Sequence, residues 1–260
     1  MMIGSNSKLG KNPSSEKHKK KEALPVQRVI VFGNGQMAEM IFFYLTHDSL
    51  FEVVAFTVDQ AYIKKDTLRG LPVVPFEQVE AVYPPTTYKM FLFLGFRDVN
   101  RFRERTYSLA KAKGYNLISY VSPHAVTWPG LVIGDNCFID DKSVIGPFAE
   151  IGSNIYIGPC SLIGHNSFIK DHCFIAAGTI ILGNVTVEPF CVIGANCTIK
   201  HGVTIRRECI IGAGSYISKD TKEKGVYITK PAELMPKSSD KWNRLLTWDE
   251  DARRTEINRS

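Results

Sequence analysis

From residue 133 to residue 217 the chain places Ile or Val at every sixth position without a gap: Ile133, Ile139, Ile145, Ile151, Ile157, Ile163, Ile169, Ile175, Ile181, Val187, Ile193, Ile199, Ile205, Ile211 and Ile217. A second track runs four residues behind the first and is mostly small: Cys137, Ser143, Ala149, Ser161, Ser167, Cys173, Thr179, Cys191, Cys197, Cys209 and Ser215. Helices repeat every 3.6 residues and strands every two, so neither produces a strict six. A parallel β-helix does, because each hexad forms one wall and one corner of a triangular coil. On this reading the branched residues fill the interior and the small ones let the chain bend at the corners. The fifteen hexads make five coils of eighteen residues. At ~4.8 Å per coil the stack is roughly 24 Å long. Such coils pack only on their neighbours, so the array needs capping.

The flanking sequence reads differently. Residues 1–24 carry Lys8, Lys11, Lys17, Lys19, Lys20 and Lys21 against Glu16 and Glu22 among Ser, Asn and Gly. That composition predicts a disordered basic tail, solvated rather than bound to nucleic acid. Residues 25–121 alternate strands and helices: strands at 28–32, 52–58, 88–94 and 117–121, and a charged helix over 98–113. This order implies a parallel sheet flanked by helices, a Rossmann-like domain. Ser122-Pro123-His124 marks the crossing into a β-helix domain over 122–236, and 237–260 reads as a polar C-terminal tail. No run of eighteen apolar residues is present, so no membrane span is expected, and no apolar segment follows the N-terminal lysines as a secretory signal would require. All six cysteines lie in the repeats, in no metal or redox spacing. They read as free thiols in small buried positions, in keeping with a reducing cytoplasm.

Two features carry chemistry. Gly33-Asn34-Gly35-Gln36-Met37-Ala38 follows a strand and opens a helix, and Asp59 ends the next strand. Glycines there admit close backbone approach of a phosphate to a helix N-terminus, and an acid at that distance accepts hydrogen bonds from a ribose. The same turn also serves as a plain tight strand–helix connection. Fewer than 100 residues is too short for the two-half domain of dinucleotide oxidoreductases. The second feature is a column. His165 and His201 each sit two residues after a track isoleucine and are 36 residues apart, with Gly183 midway. Both therefore fall on one edge of the prism, two coils or about 10 Å apart, beside a position with no side chain. His165 and His172 leave from different hexad positions, which argues against zinc on the β-helix; no metal is expected.

The Gly33–Ala38 turn with Asp59, the unbroken hexads containing Ile163-Gly164-His165-Asn166, and the closing Gly225-Val226-Tyr227-Ile228-Thr229-Lys230-Pro231-Ala232 together resemble the bacterial nucleotide-sugar N-acetyltransferases of the left-handed β-helix family. Those include the bacillosamine-pathway acetyltransferase and sialic-acid O-acetyltransferase relatives. The resemblance covers about residues 27–235. It implies an α/β N-terminal domain before a left-handed parallel β-helix, and acetyl-CoA as cosubstrate. It also implies a homotrimer with active sites between subunits, and direct transfer to the amino group of a nucleotide-linked 4-amino-4,6-dideoxy sugar for surface-glycan synthesis. By the same resemblance His165 is the catalytic base. Phe174, Gly183, Ala195 and Ala213 lie along the cosubstrate, and Gly33, Gly35, Gln36, Asp59 and Gly95 hold the nucleotide sugar. The chain departs from the family in three places. Asn166 stands where an acid often follows the base, Phe174 replaces a cofactor-contacting histidine, and Thr229 replaces a glycine. An O-acetyltransferase on a sugar hydroxyl and a non-catalytic β-helix scaffold are the alternative expectations.

Overall fold

A computed structural model describes residues 26–236, 238 and 239. The two expected tails, 1–24 and 237–260, fall outside the described residues apart from 238 and 239. The chain divides into two compact units, one comprising residues 1–94 with 108–118 and the other 95–107 with 119–260. The sequence expectation was a single break at 121. The segment 95–107 packs instead with the repeats, and the run 117–121 is not one strand. Leu117 bridges to Met90 in the first unit, whereas Tyr120–Val121 pairs in parallel with Phe138–Ile139 of the repeats.

In the first unit, β1 (Gln27–Phe32) is flanked by β2 (Phe51–Val58) and β5 (Lys89–Leu92), both parallel to it. Val29, Ile30, Val31 and Phe32 are all buried, the continuous apolar run of a strand covered on both faces. Helix α1 (Gln36–Asp48) turns Ala38, Ile41 and Leu45 inward, the spacing of one helical face. The stretch 59–87 had no sequence assignment. It contains the short antiparallel pair β3 (Thr67–Leu68) and β4 (Leu71–Pro75), which extends the sheet beyond β2 in the order β3-β4-β2-β1-β5, and the short helix α2 (Val79–Val82). Helix α3 (Arg101–Ala112), whose first seven residues belong to the second unit, begins three residues later than the charge pattern suggested. Asp98, Val99 and Asn100 each have positive φ, between 47° and 63°, and a left-handed turn cannot be continued into α3.

In the second unit, two-residue strands stack into three parallel walls, and strands one coil apart pair in register at intervals of eighteen residues. The first wall contains Glu150–Ile151 and Phe168–Ile169, the second Tyr156–Ile157 and Phe174–Ile175, the third Leu162–Ile163 and Ile180–Ile181. From Ile139 to Ile217 the sixth-residue track is buried. The small track does something other than bend the chain. Bending falls to the residue just before it, which has positive φ at Asn136, Lys142, Phe148, Asn154, Cys160, Asn166, His172, Gly178, Asn184, Phe190, Asn196, Gly202, Glu208 and Gly214.

Several of the small residues point inward under a corner and donate a hydrogen bond to a carbonyl of the next coil. Ser143 Oγ bonds to Gly158 O at 3.0 Å, Ser167 Oγ to Leu182 O at 3.0 Å, Thr179 Oγ1 to Gly194 O at 2.8 Å, Cys191 Sγ to Arg206 O at 3.0 Å and Cys197 Sγ to Gly212 O at 3.1 Å. These corner carbonyls would otherwise be buried without partners, at about 1–3 kcal/mol each. The cysteines on this track are thus hydrogen-bond donors as well as fillers. Burial raises the Cys137 thiol to about 12, which removes it as a nucleophile. Cys160, on the outer corner slot, is exposed.

The corner between the first and second walls is covered by 95–107. Asn136 Nδ2 donates to Asn154 Oδ1 at 2.8 Å, Asn154 Nδ2 donates to His172 Nδ1 at 2.9 Å, and the His172 ring stacks on Phe190 at 4.9 Å. Asn100 Nδ2 reaches the Phe190 and Cys191 carbonyls, and the buried Arg103 donates to Cys173 O at 2.9 Å. Burial lowers Arg103 to about 10. An outer aromatic ladder, Tyr120–Phe138–Tyr156–Phe174, runs up the second wall with ring centroids 4.6–5.9 Å apart.

Two outcomes follow from this packing. Ile193→Asp buries an unpaired carboxylate inside the prism and should cost about 3 kcal/mol or more, against about 1 kcal/mol for Ile193→Val, read as the loss of denaturant midpoint. The second outcome concerns pH. Burial lowers the pKa of His172, with Arg103 and Arg101 adding to the effect while Asp171 and Glu104 oppose it. The unfolded chain therefore binds this proton first, so stability is full above the ordinary value of 6.5 and falls as pH drops through it. His172→Asn, which continues the asparagine ladder, should flatten that decline in thermal melts between pH 7 and 5.

Candidate active site

The third wall enters from one corner column and leaves by another, and the expected site residues divide between them. His165, Gly183 and His201 occupy the leaving corner, where the wall turns toward the first. Gly183 is buried, while His165 and His201 are exposed. A Cβ on Gly183 would lie 2.4 Å from His165 Nε2 and 2.7 Å from Cε1. The missing side chain is therefore what lets the imidazole lie down across the next coil. The two histidine rings lean together to 6.0 Å between centroids, much closer than two coil spacings of backbone.

His165 Nδ1 lies 3.0 Å from Asn166 Oδ1. A carbonyl oxygen can only accept, so Nδ1 carries the proton and Nε2 presents its lone pair at Gly183. Asn166 thus orients the imidazole without adding charge. One coil on, Asn184 Nδ2 donates to His201 Nε2 at 3.1 Å, which places the proton on Nδ1 there too but leaves the Nε2 lone pair engaged. The Gly183 N–H makes no hydrogen bond among the described residues, while its carbonyl accepts from Gly202 N at 3.1 Å. An uncommitted base and an uncommitted amide donor are side by side, the pairing that acyl transfer needs.

Ala195 and Ala213 lie in the column of Ala177 at the entering corner, on the far side of the third wall. The chain between Ala177 and Gly183 spans six residues, on the order of 15 Å when extended. One prism does not bring them to His165. Phe174 is 8% exposed, closing the aromatic ladder beneath Phe96, whose ring stands edge-on at 5.1 Å.

In the first unit, Gly33 (φ 126°) accepts close contact, since a Cβ there would meet the Ala38 Cβ at 3.2 Å. Gly35 caps α1 without a side-chain bond and faces open space. Gly35 and Gln36 line a cleft of about 380 Å³ together with Asn34, Lys64 and Lys65. The two lysines went unnoticed in the sequence; their only signal is adjacency just past the tip of β2. Asn34 Nδ2 ties the turn to that loop through Tyr62 O at 2.7 Å. Asp59 is half-buried at the end of β2, and burial, then Glu77, raise its pKa. Gly95 follows the end of β5 and belongs to the second unit. No group of three or more His, Cys, Asp or Glu that could hold a metal occurs among the described residues.

A second cleft, in the first coil, was also missed. It measures about 420 Å³ and is lined in part by Trp128, Phe148 and Glu150. The sequence signal was Phe148 itself, a bulky residue in the corner slot that costs about 1–2 kcal/mol to hold left-handed.

Comparison with known proteins supports the fold. The family described as the GMPPB C-terminal domain matches residues 133–234. A search of the curated proteins finds no match. Among solved structures, a histidine-to-asparagine mutant of perosamine N-acetyltransferase from Caulobacter crescentus, in complex with CoA and GDP-perosamine, is 21% identical with a TM-score of 0.69, covering 83% of this chain and 100% of that one. The acetyltransferase domain of PglB from Neisseria gonorrhoeae is 18% identical with a TM-score of 0.68, covering 77% and 95%. WeeI from Acinetobacter baumannii is 22% identical with a TM-score of 0.61, covering 80% and 100%. The chain has their fold. It is an α/β unit followed by a left-handed parallel β-helix.

Gly183→Ala tests the corner. The added methyl overlaps the His165 ring, so the imidazole must swing away. The expected readout is a changed His165 side-chain resonance in NMR with an unchanged melting temperature. An unchanged resonance would contradict the contact.

Proposed function

We propose that the protein is an acetyl-CoA-dependent N-acetyltransferase acting on the amino group of a nucleotide-linked 4-amino-4,6-dideoxy sugar. The observation that carries this reading is the corner at His165. The Nε2 lone pair is free, its tautomer is held by Asn166, and the unbonded Gly183 N–H is adjacent. The fold neighbours support it, since one is a perosamine N-acetyltransferase in complex with CoA and GDP-perosamine and another is an acetyltransferase domain in complex with acetyl coenzyme A.

The free amine of the sugar attacks the thioester carbonyl, the new oxyanion accepts a hydrogen bond from the Gly183 N–H, and the intermediate collapses with cleavage of the C–S bond. His165 Nε2 removes the proton that the amine sheds, and the imidazolium returns it to the departing CoA thiolate. No nucleophilic cysteine takes part. In the first unit, the turn around Gly33, Gly35 and Gln36 holds the diphosphate at the α1 N-terminus and Asp59 accepts from the ribose.

We place the active site between subunits of a homotrimer. Ala195 and Ala213 lie across the third wall from His165, so a second copy brings its own alanine column to this corner. Ile180, Leu182 and Tyr216, exposed on that wall, supply apolar surface for the contact. The reading fits a cytoplasmic enzyme supplying acetylated sugar for surface glycans.

The test is a free-thiol assay with acetyl-CoA and a panel of UDP-, dTDP- and GDP-linked 4-amino sugars. Activity with one of them is expected, and His165→Ala should lose about 10²–10⁴-fold of it while melting unchanged. Undiminished turnover in that variant would remove His165 as the base.

A further inference from the structure

The cleft in the first coil takes no part in the chemistry above. Its walls include Trp128, Val132, Pro147, Phe148 and Glu150, around a volume of about 420 Å³, within the roughly 300–1,000 Å³ of small-molecule pockets. Its aromatic rings stand in solvent, Trp128 at 57% and Phe148 at 79% exposure. Phe148 holds φ at 61° to present its ring outward. Phe190, the other aromatic in a corner slot, is buried instead. The side chain of Glu150 makes no ion pair or hydrogen bond among the described residues.

The cleft adjoins the acyl-transfer corner. Pro147 precedes His165 by eighteen residues, one coil or ~4.8 Å away in the same column. The Asn166 N–H donates to Pro147 O at 3.1 Å, so the backbone that shapes the cleft also anchors the residue that orients the base. Gly146 lets the two coils close, since a Cβ there would fall 2.8 Å from His165 N.

Two open aromatic faces and an uncommitted carboxylate select a particular chemistry: a body with an apolar C–H face that also bears a cation. A nucleotide diphosphate fits poorly against Glu150, because both are anionic. An aminohexose fits. Its ring and any deoxy methyl lie on the aromatics, and the carboxylate draws in its ammonium form, which loses a proton to solvent before the free amine turns to His165. We infer that the Trp128–Phe148–Glu150 cleft is the acceptor-sugar subsite, which seats the aminohexose ring one coil from His165 so that its amine meets the imidazole. The inference rests on the acetyltransferase reading and assigns the residues that recognise the sugar rather than the nucleotide.

Steady-state kinetics of Trp128→Ala, Phe148→Ala and Glu150→Gln test it, with the nucleotide amino sugar that the wild type acetylates. Each variant should raise the acceptor KM roughly 10-fold or more with the acetyl-CoA KM unchanged. Trp128→Phe, which keeps a ring, should recover most of the loss. Calorimetry should show weaker binding of the sugar nucleotide to Trp128→Ala, and unaltered binding of the parent nucleoside diphosphate, which lacks the hexose. An unchanged acceptor KM in all three variants overturns the subsite. So does dissociation of the oligomer in light scattering without a change in acceptor KM, which would make the cleft a contact between copies. If the wild type acetylates no nucleotide amino sugar, the acetyltransferase reading fails first, before any variant is measured.

Discussion

Every coil of the prism must turn its backbone three times, and many of these turns leave a corner carbonyl facing the interior. At those corners the chain uses two adjacent residues: one of positive φ to make the turn, then a small donor beneath it. Ser167 shows the economy of the arrangement, since its hydroxyl donates to Leu182 O and accepts from Val185 N at 3.1 Å. The isoleucines supply the hydrophobic filling, but filling alone does not close a corner. Cysteine suits the small track because it is compact, tolerates full burial and still donates weakly.

The same rule explains where function can enter. A corner slot is ordinarily an Asn or Gly. At Asn166 and Asn184 the side chain is spare once the turn is made, and each engages a histidine on the same edge. At Gly183 the absent side chain leaves the amide of one coil under the imidazole of the previous one. The chemistry we propose thus uses positions the architecture leaves free: an outward edge, an N–H without a hydrogen bond among the described residues and a ring laid over a glycine. The corner between the first and second walls shows the opposite use of identical slots. There Asn136, Asn154 and Phe190 are buried and His172 is half-buried under 95–107, and His172 becomes a packing residue whose proton is costly.

Much of this was legible in the sequence because the hexad is a coordinate system. It gave the walls, the coil length and the column of His165, Gly183 and His201. It misassigned the bend, because turning is a backbone property of the residue before the small one, and Asn, Lys, Phe, Cys and Glu all occupy that place. It also gave no warning about Phe174, which sits outward on a wall by register and is buried only because Phe96 and Arg103 come from outside the repeat. The first unit was less legible. The short pair β3–β4 has too few residues for a periodic signal, and the run 117–121 looked like one strand although hydrogen bonding divides it between Met90 and Phe138.

The left-handed turn at 98–100 illustrates why some features lie beyond pattern. Three successive residues of positive φ, one of them the β-branched Val99, cost about 1–2 kcal/mol apiece. Nothing in their composition announces it. The compensation lies in what the turn delivers: Asn100 donating to two carbonyls of one coil, Arg103 to a carbonyl of the coil below, and Arg101 paired with Glu208 at 2.6 Å. These contacts are made by side chains at positions 100, 101 and 103, so they exist only if α3 starts at Arg101 with the right face toward the corner. A helix begun at Asp98, as the charge pattern suggested, would add three residues to the first turn and leave Asn100 within the helix instead of bracing its start. The strain of the turn and the burial of the asparagine–histidine ladder are therefore two sides of one constraint.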